Sequence, residues 1–210
     1  KNNYFIQADA TAVIYPIIAS IFTKQNLKIL NLNTSNMQGD IKYSIELLKK
    51  LGYDNINFND KCTIVEGKKE CLIESIDQTI DIDMDSSDTF MTLCILVSFI
   101  KNTYRFFNFD NQNFKECPRI DLTYKYLDEM GFNIKNTNNN LIISSNKHGL
   151  NPIYIDCYND HRIAMSFALL SVKIPNIIIS NFKCVNKTYP NFWNDMKKFG
   201  INLKLPEKRI

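Results

Sequence analysis

Hydrophobic and polar positions follow a pattern along this chain that occurs three times. Each copy contains an amphipathic helix that ends at a glycine and leads into a strand, which is typical of a helix closed at its C′ position. These glycines are Gly52, Gly131 and Gly200. At a similar distance upstream of each glycine, an aspartate precedes a second, more apolar helix, and these aspartates are Asp9, Asp88 and Asp160. A long internal period of this kind predicts a fold built from repeated units.

Each copy is predicted to have the element order β-α-β-α-β-β. The first helices are predicted at Ala10–Phe22, Thr89–Phe99 and Arg162–Val172. Strands before these helices are predicted at Tyr4–Ala8, Ile80–Met84 and Ile153–Cys157, and strands after them at Leu27–Leu32, Tyr104–Phe109 and Asn176–Phe182. Strands after the glycines are predicted at Asn55–Asn59, Phe132–Lys135 and Ile201–Leu205, and final strands only at Cys62–Glu66 and Asn140–Ser144.

The pattern predicts an α/β (α+β) fold in which three units pack around a pseudo-threefold axis. The units span roughly residues 4–70, 71–146 and 152–206. A unit of about 70 residues buries little core alone, so one domain of three units is favoured over two independent domains. Parallel strands covered by helices suit such apolar helices. The third unit lacks its final strand, which either another part of a longer chain supplies or the repeat has lost.

Composition and charge are ordinary for a globular protein. The chain is 45% apolar and 22% charged, with a formal net charge of +3, and it has no block of like charges that would predict nucleic-acid binding. It has no apolar run that would predict a membrane span and no signal peptide. Six cysteines without a CxxC pair predict free thiols in a reducing compartment, the cytoplasm. Two histidines without ligand spacing argue against zinc. Because the chain begins with Lys1, we expect it to be a piece of a longer protein.

The polar run at Tyr158–Asp160 leads directly into the first helix of the third unit. Either Asp160 or Asn159 is predicted to cap this helix, which places His161 and Arg162 in its first turn. A cation there opposes the helix dipole by about 0.3–1 kcal/mol. Arg162 at this position therefore indicates a bound anion. The alternative is an ion pair between Arg162 and Asp160 without any further role.

Polar residues also collect in the loops before the second helix of units two and three, at residues 110–119 and 183–190. Because equivalent loops of a repeated fold lie at the same end, their side chains can converge on one site. The converging set is predicted to be four cations, two carboxylates and an amide: Lys115, Arg119, Arg162, Lys187, Asp88, Glu116 and Asn111. This set suits a small substrate that carries phosphate and carboxylate groups, with the two carboxylates as base and acid.

Each of these residues also has a structural interpretation. Asp88 can be only a helix cap, and Lys115 with Glu116 can be only a solvated charged turn. Asp9 is predicted to be a cap and nothing more, because the loop of its unit is poor in cations. The equivalent placement of these residues in the repeat favours a functional site without excluding either alternative.

In their order along the chain, these motifs resemble the 5-enolpyruvylshikimate-3-phosphate synthase family. The matching segments are Asp9–Thr11, Asn36–Asp40, Asp83–Asp85 with Asp88, Asn111–Glu116 with Arg119, Tyr158–Ser166 and Lys187–Pro190. Two signals are specific, namely Asp-His-Arg-x-Ala-Met-Ser from Asp160 and Lys-Glu-x-x-Arg from Lys115, whereas Asp-Ala-Thr is weak. The sequence Lys115-Glu116-Cys117 is most similar to versions within the pentafunctional arom polypeptides of fungi and some protists.

The resemblance implies a two-domain fold with three such units in each domain. This chain would be the C-terminal domain, and its partner would be the N-terminal domain of the same polypeptide, which the sequence does not contain. The implied reaction transfers the enolpyruvyl group of phosphoenolpyruvate to the 5-hydroxyl of shikimate 3-phosphate through a tetrahedral intermediate, and it releases phosphate. It needs no cofactor and no metal. We expect the chain alone to have no turnover.

Roles for individual residues also follow from the resemblance. Asp88 is implied to bind the shikimate hydroxyls and to accept the proton of the 5-hydroxyl, and Glu116 to protonate the methylene carbon of phosphoenolpyruvate. Further implied ligands are Asn111 and Lys115 for shikimate 3-phosphate, and Arg119, Arg162 and Lys187 for phosphoenolpyruvate, with His161 as one more candidate. Asn113 departs from the family pattern, because arginine is usual at this position.

Two other functions are compatible with these motifs. One is the sister enzyme that transfers enolpyruvyl to UDP-N-acetylglucosamine, although we would not expect the Asp-His-Arg-x-Ala-Met-Ser stretch in it. The other is a non-catalytic domain kept for the assembly of a larger polypeptide. Replacement of Glu116 by Gln distinguishes the latter, because it should abolish the activity of a catalytic domain and hardly change its stability.

Overall fold

The computed structural model describes residues 9–32, 39–58, 62–67, 79–84, 88–137, 140–144 and 149–202. The predicted strand Tyr4–Ala8 and most of the predicted strand Ile201–Leu205 lie outside the described residues. The same holds for the first part of the Asn36–Asp40 motif and for Asp85.

The α-helices of the described residues agree with the predicted order. They are α1 (Ile14–Thr23), α2 (Gly39–Lys50), α3 (Phe90–Val97), α4 (Arg119–Glu129), α5 (His161–Ala168) and α6 (Phe192–Lys197). Short 3-10 helices lie at Thr11–Val13, Asp110–Phe114, Leu169–Val172 and Phe182–Lys187. Two of these extend α1 at its start and α5 at its end, so the predicted first helices of all three units are confirmed.

The described strands form three small sheets, one for each unit. They are β1 (Leu27–Leu30), β2 (Ile56–Phe58), β3 (Cys62–Val65), β4 (Thr79–Asp83), β5 (Thr103–Phe107), β6 (Asn133–Thr137), β7 (Asn140–Ser144), β8 (Tyr154–Ile155) and β9 (Ile178–Ile179). The sheet of unit two has the order β4-β5-β7-β6. In it, β4 is parallel to β5, whereas β7 is antiparallel to both β5 and β6. The expected parallel pairing therefore holds for the first two strands, and a hairpin returns the last strand in the opposite direction.

The other two sheets repeat parts of this topology. In unit one the order β1-β3-β2 matches β5-β7-β6, and both pairings in it are antiparallel. In unit three the parallel pair β8-β9 matches β4-β5. The α/β fold and the repeat of the predicted units are thus confirmed for the part of the chain that the structure describes.

Unit three departs from the prediction in its second strand. Instead of the predicted Asn176–Phe182, only Ile178–Ile179 is extended, and Phe182 begins a 3-10 helix. Asn176 and Asn181 have positive φ angles of 67° and 48°, a left-handed conformation that interrupts a strand on both sides. Ile201, the predicted start of the third strand, is not part of a strand.

The glycine that ends the second helix adopts the same conformation in each unit. Gly52, Gly131 and Gly200 have φ angles of 84°, 94° and 82°, which a residue with a Cβ adopts only with strain. The amide of the residue after each glycine donates to a carbonyl five residues earlier, for example Phe132 N to Leu127 O at 2.9 Å. This is the Schellman closure that the sequence pattern predicted.

The first helices of the three units form the core and thereby place the site. All residues of α3 are buried, as expected for a helix that is apolar on every side. Helix α3 contacts both α1 and α5, and Thr92 of α3 shares a 2.8 Å hydrogen bond with Ser166 of α5. Because these helices are packed side by side, the residues at their N-terminal ends are held in fixed relation.

Candidate active site

Three aspartates mark the N-terminal ends of the core helices. Asp160 caps α5, since its Oδ1 accepts the backbone N–H of Arg162 at 2.8 Å, as predicted. Asp9 is also a cap, because its Oδ1 accepts the backbone N–H of Thr11 at 3.0 Å. Asp88 lies directly before α3 and points its carboxylate at cations from other elements. Equivalent positions of the repeat therefore have different roles.

Arg119, the first residue of α4, lies at the centre of the cluster with only 1% of its surface exposed. Its Nε donates to Asp160 Oδ2 at 2.7 Å, and its Nη2 donates to Glu116 Oε2 at 2.8 Å and to Asp160 Oδ1 at 3.4 Å. Its Nη1 donates to Asp88 Oδ1 and to Gln112 Oε1, both at 3.2 Å. These contacts account for all five N–H groups of a guanidinium.

Asp88 contacts three of the four predicted cations, two from the loop of unit two and one from the start of α5. Its Oδ2 lies 2.9 Å from Arg162 Nη2, and its Oδ1 lies 3.2 Å from Arg119 Nη1 and 3.9 Å from Lys115 Nζ. The alternative pairing of Arg162 with Asp160 is wrong for the side chain, because only the backbone N–H of Arg162 contacts Asp160. The Arg162 guanidinium instead joins α5 to the N-terminal end of α3.

Glu116 links the loop of unit two to that of unit three. Its Oε1 accepts from Lys187 Nζ at 2.6 Å, while its Oε2 accepts from Arg119. Burial alone would raise the pKa of Glu116, but the hydrogen bond from Lys187 and the charges of Arg119 and Lys187 outweigh it and lower the pKa to about 2. The structure thus confirms that the two loops converge, and Glu116 is not part of a merely solvated turn.

The 3-10 helix Asp110–Phe114 supplies amides to the cluster. Gln112 is buried between Arg119 and Asn111, and its Nε2 donates to Asn111 Oδ1 at 3.1 Å. Asn113 Oδ1 accepts the backbone N–H groups of Ile120 at 2.8 Å and of Asp121 at 3.4 Å. Asn113, where the resemblance led us to expect arginine, therefore caps the start of α4.

His161 lies in the first turn of α5 with 3% of its surface exposed. Among the described residues, neither ring nitrogen has a hydrogen-bond partner. Burial, together with the charges of Arg162 and Lys187, lowers the pKa of His161 more than Asp160 and Glu116 raise it. The imidazole is accordingly held in its neutral form at the edge of the cationic cluster.

Three residues of the cluster were not predicted to belong to it, namely Asp160, Gln112 and Cys117. Asp160 was predicted only as a cap, yet it is fully buried and accepts twice from Arg119. Cys117 Sγ donates to Asp160 Oδ2 at 3.3 Å, and burial followed by the charge of Asp160 raises the pKa of this thiol. A buried arginine needs a buried carboxylate, and the aspartate in the motif beside Arg162 was the signal that could have identified it.

No group of three or more His, Cys, Asp or Glu side chains in the described ranges is placed to hold a metal ion. In the same ranges, no helix combines the length and apolarity needed to cross a membrane.

The arrangement is chemically an anion site whose cations already contact carboxylates. Four cations, Lys115, Arg119, Arg162 and Lys187, meet the carboxylates of Asp88, Glu116 and Asp160. Asp88 and Glu116 are partly exposed, whereas Asp160 is fully buried. The two reachable carboxylates can transfer protons, and the buried one fixes the position of Arg119.

Comparison with known proteins identifies related sequences and similar folds. The family model described as EPSP synthase (3-phosphoshikimate 1-carboxyvinyltransferase) matches residues 1–196. The fold is similar to two structures of EPSP synthase from Acinetobacter baumannii, with TM-scores of 0.76 and 0.74 at 18% and 17% identity. Each match covers 96% of this chain and 48% of the matched EPSP synthase chain.

A third similar structure is the enolpyruvyl transferase NikO from Streptomyces tendae, with a TM-score of 0.71 at 14% identity, covering 93% of this chain and 43% of that chain. The chain therefore spans about half the length of the solved structures that it matches. A family match over nearly the whole chain, on a fold of the same kind, identifies the family: the chain belongs to the EPSP synthase family.

Proposed function

We propose that this chain is the C-terminal domain of a 3-phosphoshikimate 1-carboxyvinyltransferase. The enzyme transfers the enolpyruvyl group of phosphoenolpyruvate to the 5-hydroxyl of shikimate 3-phosphate and releases phosphate. The observation that carries the proposal is the convergence of Lys115, Arg119, Arg162 and Lys187 on the carboxylates of Asp88 and Glu116. Family membership supports it, and the sequence Lys115-Glu116-Cys117 favours a parent polypeptide of the arom type in the cytoplasm.

Both substrates carry a phosphate and a carboxylate, and the cations of the cluster suit these groups. Arg119 and Arg162 can each hold a carboxylate in a bidentate manner, and Lys187 can contact a phosphate as a point charge. Lys115 and Asn111 lie on the side of Asp88 and Gln112, where they bind shikimate 3-phosphate. Because every one of these cations contacts a carboxylate in the structure, substrate binding exchanges one ion pair for another.

Asp88 acts as the base in this proposal. Its carboxylate is partly exposed, and the contacts with Arg119 and Arg162 fix its position at the N-terminal end of α3. There it accepts the proton of the 5-hydroxyl, which makes the oxygen a better nucleophile. The same two arginines hold the phosphoenolpyruvate carboxylate, so that the reacting atoms are placed next to each other.

Glu116 acts as the acid in this proposal, and because its pKa is low, it can donate a proton only after a substrate has bound. With Lys187 and Arg119 against it, its pKa of about 2 keeps it ionised and unable to donate a proton. When Lys187 turns to the phosphate and Arg119 to the carboxylate of phosphoenolpyruvate, burial raises the pKa of Glu116, which then takes up a proton. Substrate binding therefore prepares the acid that acts on that substrate.

The chemical steps follow from these roles. Glu116 gives its proton to the methylene carbon of phosphoenolpyruvate, positive charge develops at C2, and the 5-hydroxyl oxygen attacks there to form the tetrahedral intermediate. Loss of phosphate and of one methyl proton then restores the double bond in the product. The remaining substrate contacts come from the N-terminal domain of the same polypeptide, as expected for a chain that spans about half of the similar enzymes.

Phosphate release by the intact polypeptide, given shikimate 3-phosphate and phosphoenolpyruvate, tests the proposal. We expect release by the unchanged protein and a loss of at least about 100-fold in kcat for Glu116→Gln or Asp88→Ala, the usual contribution of a positioned acid or base. UDP-N-acetylglucosamine as acceptor is the control for the sister reaction, and it should give no release. A folded polypeptide that releases no phosphate from the proposed pair of substrates would contradict the proposal.

A further inference from the structure

Gln112 lies between Asn111 and Arg119, two residues of the proposed site, but has no assigned role in binding either substrate. Only 1% of its surface is exposed, and its backbone N–H donates to Phe109 O at 2.8 Å, which fixes the 3-10 helix that carries it. Its side chain contacts Arg119 on one side and Asn111 on the other. A buried amide in this position must satisfy both its donor and its acceptor.

The contact with Arg119 determines which way the Gln112 amide points. A guanidinium can only donate, so the atom 3.2 Å from Arg119 Nη1 must be the carbonyl oxygen Oε1. The NH₂ group, Nε2, then faces Asn111, and because Nε2 can only donate, Asn111 must present its oxygen Oδ1 at 3.1 Å. In this way the donor-only arginine sets the orientation of two successive amides.

The consequence for Asn111 is that its own NH₂ group faces away from Gln112. Its Nδ2 donates to no residue that the structure describes, and its side chain is partly exposed. Two N–H donors at this point suit an anionic oxygen of a ligand. The opposite orientation of the amide would present a carbonyl oxygen, which repels an anion.

We propose that Gln112 is a positioning residue that orients the Asn111 amide so that its Nδ2 donates to an anionic oxygen of shikimate 3-phosphate, an inference that rests on the proposed function. Gln112 touches no substrate itself. It acts only through Asn111, and Arg119 acts on Asn111 only through Gln112.

Gln112→Glu separates the two contacts of this side chain. The replacement has the same size and still accepts from Arg119, but it has no NH₂ group, so Asn111 turns its Nδ2 inward to the new carboxylate. We expect the Kd for shikimate 3-phosphate to rise by about tenfold or more, the effect of a lost hydrogen bond to a charged group.

Gln112→Met is the uncharged counterpart. It fills a similar volume and gives up the Nε2 donor, so the Asn111 amide rotates freely between two orientations. We expect a smaller rise in Kd, about two- to threefold. Only about half of the Asn111 side chains then present Nδ2 to the ligand, and the apparent Kd rises in inverse proportion to that fraction. Thermal unfolding of each variant shows that the domain is folded, and this variant makes the test if Gln112→Glu does not fold.

The added negative charge of Gln112→Glu would itself repel an anion, and a double-mutant cycle with Asn111→Ala removes this ambiguity. If Gln112 acts through Asn111, neither Gln112→Glu nor Gln112→Met should raise the Kd further in the Asn111→Ala background. A repulsion by charge alone would persist there in full.

Calorimetric titration of the intact polypeptide with shikimate 3-phosphate gives every value of the cycle. The inference is supported if the Kd rises in the Gln112 variants and this rise disappears in the Asn111→Ala background. It is overturned if the Gln112 variants bind as tightly as the unchanged protein, or if the rise persists without Asn111. Failure of the unchanged protein to bind shikimate 3-phosphate would instead contradict the proposed function.

Discussion

Arg119 shows how a single buried residue organises the site. All of its N–H groups donate to side chains, three of which are carboxylates from different elements. Lysine cannot replace it, because an ammonium is a point charge with three donors and lacks the planar geometry of a guanidinium. The arginine is thus both part of the proposed substrate site and a structural link between the helices.

Replacement of Arg119 by Met should destabilise the protein strongly. It leaves the fully buried Asp160 without its cation, and loss of one partner of a buried ion pair costs about 3–5 kcal/mol. Urea denaturation measures the loss. The matched control is Arg105→Met, because Arg105 pairs with Asp81 at the surface, with the two side chains 44% and 46% exposed. There we expect at most about 1 kcal/mol, and equal losses at both arginines would contradict the structural role of Arg119.

The ion pairs of Glu116 should make stability depend on pH in a defined range. Its folded-state pKa of about 2 lies below the ordinary value of 4.5, so its stabilising effect is complete above pH 4.5. The effect decreases as the pH falls from 4.5 through about 2, because protonation then breaks the contact with Lys187. The difference in stability between the unchanged protein and Glu116→Gln should therefore be present at pH 7, where the sequence alone predicted hardly any change, and nearly lost near pH 2.

Urea midpoints of both proteins at several pH values measure this difference. The control is Glu129→Gln, which removes an exposed helical pair with Lys125 at 3.9 Å and should have little effect at any pH. A constant difference between the unchanged protein and Glu116→Gln from pH 7 to pH 2 would show that Glu116 is not stabilised by these cations.

At the scale of elements, α4 shows how a loop residue can serve a neighbouring helix. The residue before α4 is Pro118, which makes no side-chain cap, and Asn113 accepts the first free N–H groups of the helix from outside. Since Arg119 is the first residue of this helix, the cap also fixes the position of the arginine. An arginine at position 113 could not accept these hydrogen bonds, because a guanidinium only donates.

Asn113→Arg should therefore destabilise this protein even though arginine is usual in the family. Loss of a helix cap costs about 0.5–2 kcal/mol, and we expect a value in this range by urea denaturation. Asn113→Asp keeps an acceptor oxygen at the same place and should be close to neutral. If Asn113→Arg is as stable as the unchanged protein, the cap does not hold α4.

The helices were predicted from the sequence more accurately than the site. Periodicity and the positive-φ glycines located the helix ends, because both signals are local. The shortened strand β9 was not predicted, because the left-handed conformation of Asn176 and Asn181 is not evident from an apolar run. Similarly, the contact of Asp160 with Arg119 joins residues far apart in the chain, and no periodic pattern carries that information.

On the scale of the whole molecule, the three units are alike, but only some of the residues at equivalent positions take part in the site. Asp9, Asp88 and Asp160 begin the same helix of their units, yet only the last two contact Arg119. Units two and three supply all four cations of the cluster, and the site therefore lies toward one side of the repeat. Under the proposed function, a second surface that faces this one supplies the remaining substrate contacts.

The isolated chain should accordingly fold but not turn over. It spans 48% of the similar EPSP synthase structures, so under the proposed function we expect phosphate release by the intact polypeptide and none by the chain alone. Circular dichroism of the isolated chain confirms that it is folded in the same experiment. Turnover by the folded chain alone would contradict the need for a second domain.

The hydrogen bonds from Arg119 to carboxylates of the protein also determine which free anions can bind at the site. Asp88 and Glu116 are tethered competitors, and an attached group competes at a high effective concentration that a free ion in solution must exceed. Chloride, which offers a single charge, gains too little to displace them. A ligand with several anionic groups replaces several tethered carboxylates at once. Asp88 and Glu116 therefore favour the binding of such a ligand over that of simple inorganic anions.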